Sequence, residues 1–318
     1  MHGDCVDQLW GDWNVLEELA RVAPEVRDRL IVRFGPDVLG WCAELPALVR
    51  ELAARWGLEP VAASGGGTSR VFRCVRHDTG ASVWLKLTPE PGIAREEAEA
   101  LRAWEATPSV VTLLAEDLAA GALLLENVEP GVPVRQLAWS LPEVAALLRD
   151  LRIRTPGPGK HSVLRPLSHR IDFTFDLTDR RLAAAQSRTN GLVSPTMLVH
   201  ARAAAQELAA GGPVGLVHGD LHPANVLSGP DARMVAIDPR PTWGDPDFDA
   251  VDWVLEGAAD PATLERRIEG LAALVPGLSP ERVLRWCRAL GVLAAVPRVC
   301  AGRDDAEIRF LLALAAHD

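Results

Sequence analysis

The chain has 318 residues, 48% of them hydrophobic and 24% charged, with a formal net charge of −10. That length and apolar content suffice for one large core or two lobes. The acidic balance argues against nucleic acid or an anionic membrane as partner, and no apolar run approaches the roughly 18 residues that a bilayer-spanning helix needs. The five cysteines (Cys5, Cys42, Cys74, Cys287 and Cys300) are widely spread with no CxxC pair. They read as free thiols, and the N-terminal stretch MHGDCVDQLWGDW lacks the basic-then-apolar order of a secretion signal. A reducing cytoplasm is the expected compartment.

In chain order, residues 1–58 read as a helical segment. A helical apolar pattern runs over Asn14–Phe34 and another over Asp37–Trp56, with Gly35-Pro36 between them. Residues 59–127 are rich in strand signals. Glu59–Ser64 leads into Gly65-Gly66-Gly67-Thr68-Ser69, whose glycines permit a tight turn with backbone N–H groups near phosphates. A plain flexible hairpin explains the same run, which is neither a complete GxGxxG nor a GxxxxGK[ST] loop. Arg70–Arg76 alternates apolar and polar residues, Asp78-Thr79-Gly80 is a turn, and Ala81–Leu87 is the next strand, carrying Lys86 near its end. Ala94–Thr107 is a predicted helix with acids in its first turn. Glu97, with Glu96 second, is the acid placed to hold Lys86; a solvated helix face is the bland reading of either. Strands at Val110–Leu114 and Leu123–Leu125 precede Glu126-Asn127-Val128, where a strand breaks into a Pro-Gly linker and backbone groups could read an adenine ring.

Residues 128–318 are predicted to form a larger, mainly helical part. Arg154–Arg170, rich in Pro, Gly and His, reads as a long connector loop, although it could also border a substrate cleft. The densest chemistry lies in Leu216–Asp252. Here His218-Gly219-Asp220 is followed five residues on by Asn225, and a short apolar strand, Met234–Ile237, ends in Asp238. An acid that orients a hydroxyl and accepts its proton, with an amide and a second acid holding Mg2+ on a triphosphate, is the equipment for phosphoryl transfer from ATP. The rival reading makes His218, Asp220 and His222 a metal-hydrolase cluster, but no other segment offers the remaining ligands at a recognisable spacing.

These segments resemble the aminoglycoside phosphotransferase family, which shares the protein-kinase-like fold, and within it the branch of streptomycin 6-kinases and hydroxyurea kinases. The residues that carry the likeness are LPALVRELAARWGLEP (Leu45–Pro60), the LKL around Lys86, AIDPRPTWGDPDFD (Ala236–Asp249) and Trp286. It extends from about Gly40 to the C-terminus and is weakest over Arg154–Gly212. It implies an α+β, bilobal protein-kinase-like fold, with a small antiparallel-sheet nucleotide lobe (residues 59–127) and a larger mainly helical lobe (residues 128–318). ATP and Mg2+ would sit between the lobes. Asp220 would be the catalytic base, Asn225 and Asp238 the Mg2+ ligands, Lys86 the phosphate contact, Glu97 its ion-pair partner and Glu126–Val128 the hinge.

Two departures from protein kinases are informative. Gly219 stands where an activation-loop phosphate would need Arg, and Pro239 and Pro241 stiffen the segment after Asp238, so a constitutively assembled small-molecule kinase is expected. Asp245 reads as a helix cap. Asp247, Asp249, Asp252 and Glu256 are candidate contacts for a cationic substrate, and Trp243 could stack on a planar one, with core packing as its alternative. The resemblance implies a small-molecule antibiotic as substrate, streptomycin or another aminoglycoside first. A capuramycin-type nucleoside, hydroxyurea or a small metabolite such as an amino sugar or amino alcohol are the alternatives. A nucleotide-binding scaffold that has lost catalysis is the non-enzyme rival.

Overall fold

A computed structural model describes residues 13–65, 68–152, 157–185 and 191–316. Gly66 and Gly67, and parts of the expectations placed on residues 1–40 and 154–170, lie outside the described residues. Two compact units are present: Met1–Arg102 with Val111–Asn127, and Ala103–Val110 with Val128–Asp318.

The first unit opens with three helices, α1 (Trp13–Ala20), α2 (Pro24–Phe34) and α3 (Val38–Trp56). The single helix expected over Asn14–Phe34 is therefore two. Pro24 has no backbone N–H to give a continuing helix, and Ala23 before it is extended (φ −60, ψ 149). Five strands follow as one antiparallel sheet in the order β1-β2-β3-β5-β4: β1 (Leu58–Gly65), β2 (Arg70–Arg76), β3 (Ser82–Leu87), β4 (Leu113–Asp117) and β5 (Ala122–Glu126). Leu45, Val49 and Leu52, one stripe of α3, are buried with Phe72, Val83, Leu85, Leu87 and Leu124 in a single apolar cluster. Each such leucine contributes roughly 1.5–3 kcal/mol by leaving water. Because strand side chains alternate, the burial of Val83, Leu85 and Leu87 in this cluster puts Lys86 on the opposite face of β3.

Helix α4 (Pro91–Ala103) starts a turn earlier than its charge pattern suggested, so its first turn holds no acid and Glu97 falls in the second turn, on the buried side with Ala94, Ala98 and Leu101. Pro91 sets the earlier start, since proline is well suited to the first helical turn. The strand expected over Val110–Leu114 is displaced: β4 begins at Leu113, while Val110 belongs to the second unit and bridges Ala236.

The second unit contains α5 (Leu141–Leu151), a two-residue β6 (Arg165–Pro166), α6 (Leu167–Ala184), α7 (Pro195–Ala210), β7 (Gly215–Val217), β8 (Val226–Ser228), β9 (Met234–Ala236), β10 (Thr242–Gly244), α8 (Val251–Leu255), α9 (Pro261–Leu274), α10 (Pro280–Cys300) and α11 (Ala306–Ala315). The expected loop at Arg154–Arg170 is thus shorter than read. Arg165 and Pro166 pair in parallel with Thr242 and Trp243, and α6 begins at Leu167. Pro166, at φ −60 and ψ 149, ends the extended run and leads directly into the helix. Among the described residues four cysteines are free thiols, and burial pushes Cys74 up to about 12. No described helix is long and apolar enough to cross a membrane.

Candidate active site

In the first unit, Lys86 and Glu97 form a closed pair. The Lys86 ammonium donates to both Glu97 oxygens at 2.7 and 2.6 Å, and both side chains are buried. Glu97, rather than its neighbour Glu96, faces the sheet. Taking an ammonium and a carboxylate out of water costs several kcal/mol each, so this pair is a costly way to hold one strand lysine in a fixed pose. Nearby, the Thr68 carbonyl accepts from the Thr88 hydroxyl at 3.1 Å and Ser69 is buried. Gly65 is the last residue of β1. At the other end of β3, Asn127 Oδ1 accepts the Trp84 indole N–H at 2.8 Å, and the Glu126 carboxylate accepts the Thr112 N–H at 2.8 Å. The side chains of Glu126 and Asn127 are therefore both used within the unit, and Val128 opens the next segment, which belongs to the second unit.

In the second unit, β7 delivers the chain into the turn His218–Asn225. The β8–β9 hairpin then explains the spacing of Asn225 and Asp238. Val226 pairs with Ala236, and the Ile237 N–H donates to the Asn225 carbonyl at 2.9 Å, so residues distant in sequence meet at one end of a hairpin. Asp238 lies two residues past β9 and holds a left-handed backbone, φ 54, which is uncommon for a residue with a side chain. Its carboxylate lies 3.3 Å from Arg240.

Asp220 is gripped from two sides. Arg170, on α6, donates from Nε to the Gly219 carbonyl at 3.1 Å and from a terminal nitrogen to Asp220 Oδ1 at 2.9 Å. Asn225 Nδ2 donates to the Asp220 carbonyl at 3.0 Å and to Oδ2 at 3.1 Å. The carboxylate still keeps 32% of its surface exposed. The Asn225 contacts also fix which way its amide points: nitrogen towards Asp220, oxygen away and available as a hard ligand for a cation. With the Asp238 carboxylate, this is an oxygen donor set of the kind Mg2+ takes.

His218 has a different office. Its ring is fully buried and stacked on Trp104, centroids 6.2 Å apart, and burial pushes its pKa down to about 4, so it is neutral. Among the described residues no group of three or more His, Cys, Asp or Glu side chains could hold a metal ion. The metal-hydrolase reading of His218, Asp220 and His222 therefore has no ligand set, and His222 instead caps the short turn at Pro223–Asn225 by accepting the Ala224 N–H.

The candidate substrate acids separate. Asp249 is buried and accepts the backbone N–H groups of His218 and Gly219 at 2.7 and 3.0 Å; burial raises it to about 7. Asp247 is buried against Arg152 at 2.6 Å and the Ser279 N–H at 3.1 Å. Neither is offered to a ligand, which corrects their assignment as substrate contacts: their oxygens are spent inside the fold. Asp245 caps the following turn through the Asp247 N–H and also accepts from Arg282 and the Trp286 indole. Asp252, on α8, and Glu256, just past it, are open to solvent, and Asp252 lies within electrostatic reach of His222, Asp220, Glu256 and Arg170. Trp243 lies in β10 and donates its indole N–H to Ser162 at 3.1 Å.

Sequence reasoning missed Arg170 and the Trp104 that covers His218. No local signal marks either: Arg170 ends a loop-like run, and Trp104 follows a helix in which it looks like one more apolar position.

A strand lysine locked to a helix glutamate, and a separate turn that presents one acid beside an amide and a second acid, is the plan of protein-kinase-like phosphotransferases. Solved structures agree on the fold. Choline kinase LicA from Streptococcus pneumoniae superposes with a TM-score of 0.57 at 14% identity, covering 85% of this chain and 98% of that one. A thermostable mutant of aminoglycoside phosphotransferase APH(4)-Ia, in complex with ADP and hygromycin B, gives 0.53 at 18% identity over 84% and 96%. The profile of the aminoglycoside/hydroxyurea antibiotic resistance kinases matches residues 55–302, and this chain belongs to that family. It is a small-molecule kinase. Among its relatives, a streptomycin 6-kinase of Streptomyces glaucescens is 29% identical over 89% of this chain and 94% of its own length. A hydroxyurea phosphotransferase of Kitasatospora aureofaciens is 32% identical over 76% and 69%.

Proposed function

We propose that the protein transfers the γ-phosphoryl group of ATP, with Mg2+, to a hydroxyl of a small-molecule antibiotic, with streptomycin or another aminoglycoside as first candidate, and so confers resistance. The observation that carries this reading is the state of Asp220. Both its oxygens are aimed by fixed donors, yet a third of the side chain is open, so a hydroxyl can approach an already oriented acceptor.

In this reading Lys86, held by Glu97, takes phosphate oxygens, the backbone at Gly65–Ser69 covers them, and the backbone at Glu126–Val128 reads the adenine. The substrate hydroxyl lies against Asp220. As its oxygen bonds to the γ-phosphorus and the bond to the ADP oxygen breaks, the hydroxyl proton passes to Asp220. The transition state is loose, so the residues act chiefly by positioning and by neutralising charge. Asn225 Oδ1 and the Asp238 carboxylate would hold Mg2+, which when bound supplies charge neutralisation on the phosphates.

Asp252 supplies negative charge within reach of Asp220, with Glu256 in turn near Asp252, which suits a cationic substrate. Hydroxyurea, favoured by the 32% identical relative, is the second reading; being neutral, it would gain little from that charge. A capuramycin-type nucleoside or a small metabolite such as an amino sugar would use the same transfer machinery. An inactive scaffold fits less well, because Lys86, Glu97, Asp220, Asn225 and Asp238 are all in place.

The test is ATP consumption with Mg2+ against streptomycin, other aminoglycosides, capuramycin-type nucleosides and hydroxyurea, with mass spectrometry for an added phosphate. A phosphorylated aminoglycoside is the expected product. Phosphate on hydroxyurea alone would move the substrate to the second reading, and absence of ATP–Mg2+ binding would overturn the function.

A further inference from the structure

Gly219 occupies a position where no larger residue fits. Its φ is +77, and a Cβ there would lie 2.2 Å from the Arg240 carbonyl oxygen, itself immobilised because the Arg240 N–H donates to the His218 carbonyl at 2.8 Å. The residue immediately before Asp220 therefore cannot supply a side chain to hold it. Arg170 reaches that place from elsewhere. It stands in the first turn of α6, 50 residues earlier in the chain, and its side chain is mostly buried.

The geometry points to Arg170 as the positioning residue for the phosphoryl-transfer acid: its guanidinium bridges the Gly219 carbonyl and Asp220 Oδ1, replacing the side chain that Gly219 cannot carry. Three observations make this more than a surface ion pair. The two contacts leave from adjacent arms of one planar fork, so the carboxylate is fixed relative to its own backbone and not merely attracted. Asn225 repeats the pattern from the other side, bridging the Asp220 carbonyl and Oδ2. And burial works against the Arg170 charge, with the Asp220 carboxylate the largest opposing influence. Arg240 pairs likewise with Asp238, so that each exposed acid of the site has its own arginine. A lysine at 170 would keep the charge but lose the fork.

This inference rests on Asp220 being the transfer acid. The experiment compares wild type, Arg170→Lys, Arg170→Ala and, as control, Arg180→Met, an exposed arginine on the same helix. With the phosphorylated substrate found above, Arg170→Lys and Arg170→Ala should lower kcat at least tenfold while the KM for ATP stays within twofold, and millimolar guanidinium should restore part of the Arg170→Ala rate. Arg180→Met should match wild type. A kcat within twofold of wild type in Arg170→Ala, or a loss of kcat that guanidinium does not relieve, overturns the proposal. A crystal structure of Arg170→Ala reads the same point without turnover. An Asp220 carboxylate that leaves its orientation supports the role of Arg170 even where wild type phosphorylates nothing in the panel, and an unmoved carboxylate removes it.

Discussion

The turn at His218–Asp220 with its partner Asp238, and the turn at Asp245–Asp249, lie within 32 residues of each other, and both are acidic. Their acids do opposite things. Asp220 and Asp238 keep 32% and 35% of their side chains exposed. Asp245, Asp247 and Asp249 are buried at 1%, 1% and 6%, and each accepts at least two hydrogen bonds from within the fold. The second turn is a scaffold for the first: Asp249 holds the His218 and Gly219 amides and so shapes the loop that presents Asp220. The lesson is that acidity alone does not mark a substrate contact. What decides is whether the lone pairs are already taken, because a buried carboxylate persists only when its partners offset its desolvation.

If that division holds, the largest stability effect belongs to the scaffold. Asp245→Ala leaves the buried Trp286 indole unpaired and takes from half-buried Arg282 its carboxylate partner, and should cost about 3–5 kcal/mol, the range for breaking a buried charged pair. Chemical denaturation measures it, and a loss below about 1 kcal/mol would show that the turn is not held as described.

The next effect is a pH dependence. His218 binds its proton less tightly folded, at about 4, than unfolded, at 6.5. The unfolded chain therefore takes up the extra proton between those values, and stability is lost as pH falls from about 6.5 towards 4. The shift corresponds to about 3 kcal/mol. Asp249, raised to about 7, titrates in the opposite sense over much of this window, so the useful readout is the difference between wild type and His218→Gln. Wild type should lose ground to the variant by about that amount across the window; a pH-independent difference would mean that His218 is not held neutral by burial.

The smallest effect sharpens the substrate side. Asp252→Asn removes one charge from an exposed position and should leave stability within about 0.5 kcal/mol while raising the KM for an aminoglycoside several-fold. A KM for hydroxyurea that moves equally would break the link between Asp252 and cationic substrates.

Much of this was legible in the sequence because it is local. The alternation in Arg70–Arg76, the strand carrying Lys86 and the strand before Asp238 follow from side-chain periodicity. The burial of Glu97 follows from its helical spacing with Ala94, Ala98 and Leu101. What was hidden is non-local. Nothing in GDPDFD distinguishes Asp249, which reaches back to two amides, from Asp252, which faces water three residues later. Arg170 lay at the end of a Pro/Gly-rich run, and only the pairing of Arg165 and Pro166 with β10, which starts α6 at Leu167, aims it at Asp220. Similarly, Val110 has the β-branched character of the strand expected there, but it belongs to the second unit, where it bridges Ala236.

The most direct test is a single-turnover measurement of Asp220→Ala beside wild type, with ATP–Mg2+ affinity measured on the same preparations. Transfer should fall by about 10²–10⁴-fold, the usual worth of a positioned base, with nucleotide affinity and folding stability unchanged. Transfer retained at the wild-type rate, or transfer lost together with ATP binding, would contradict Asp220 as the acid that receives the hydroxyl proton.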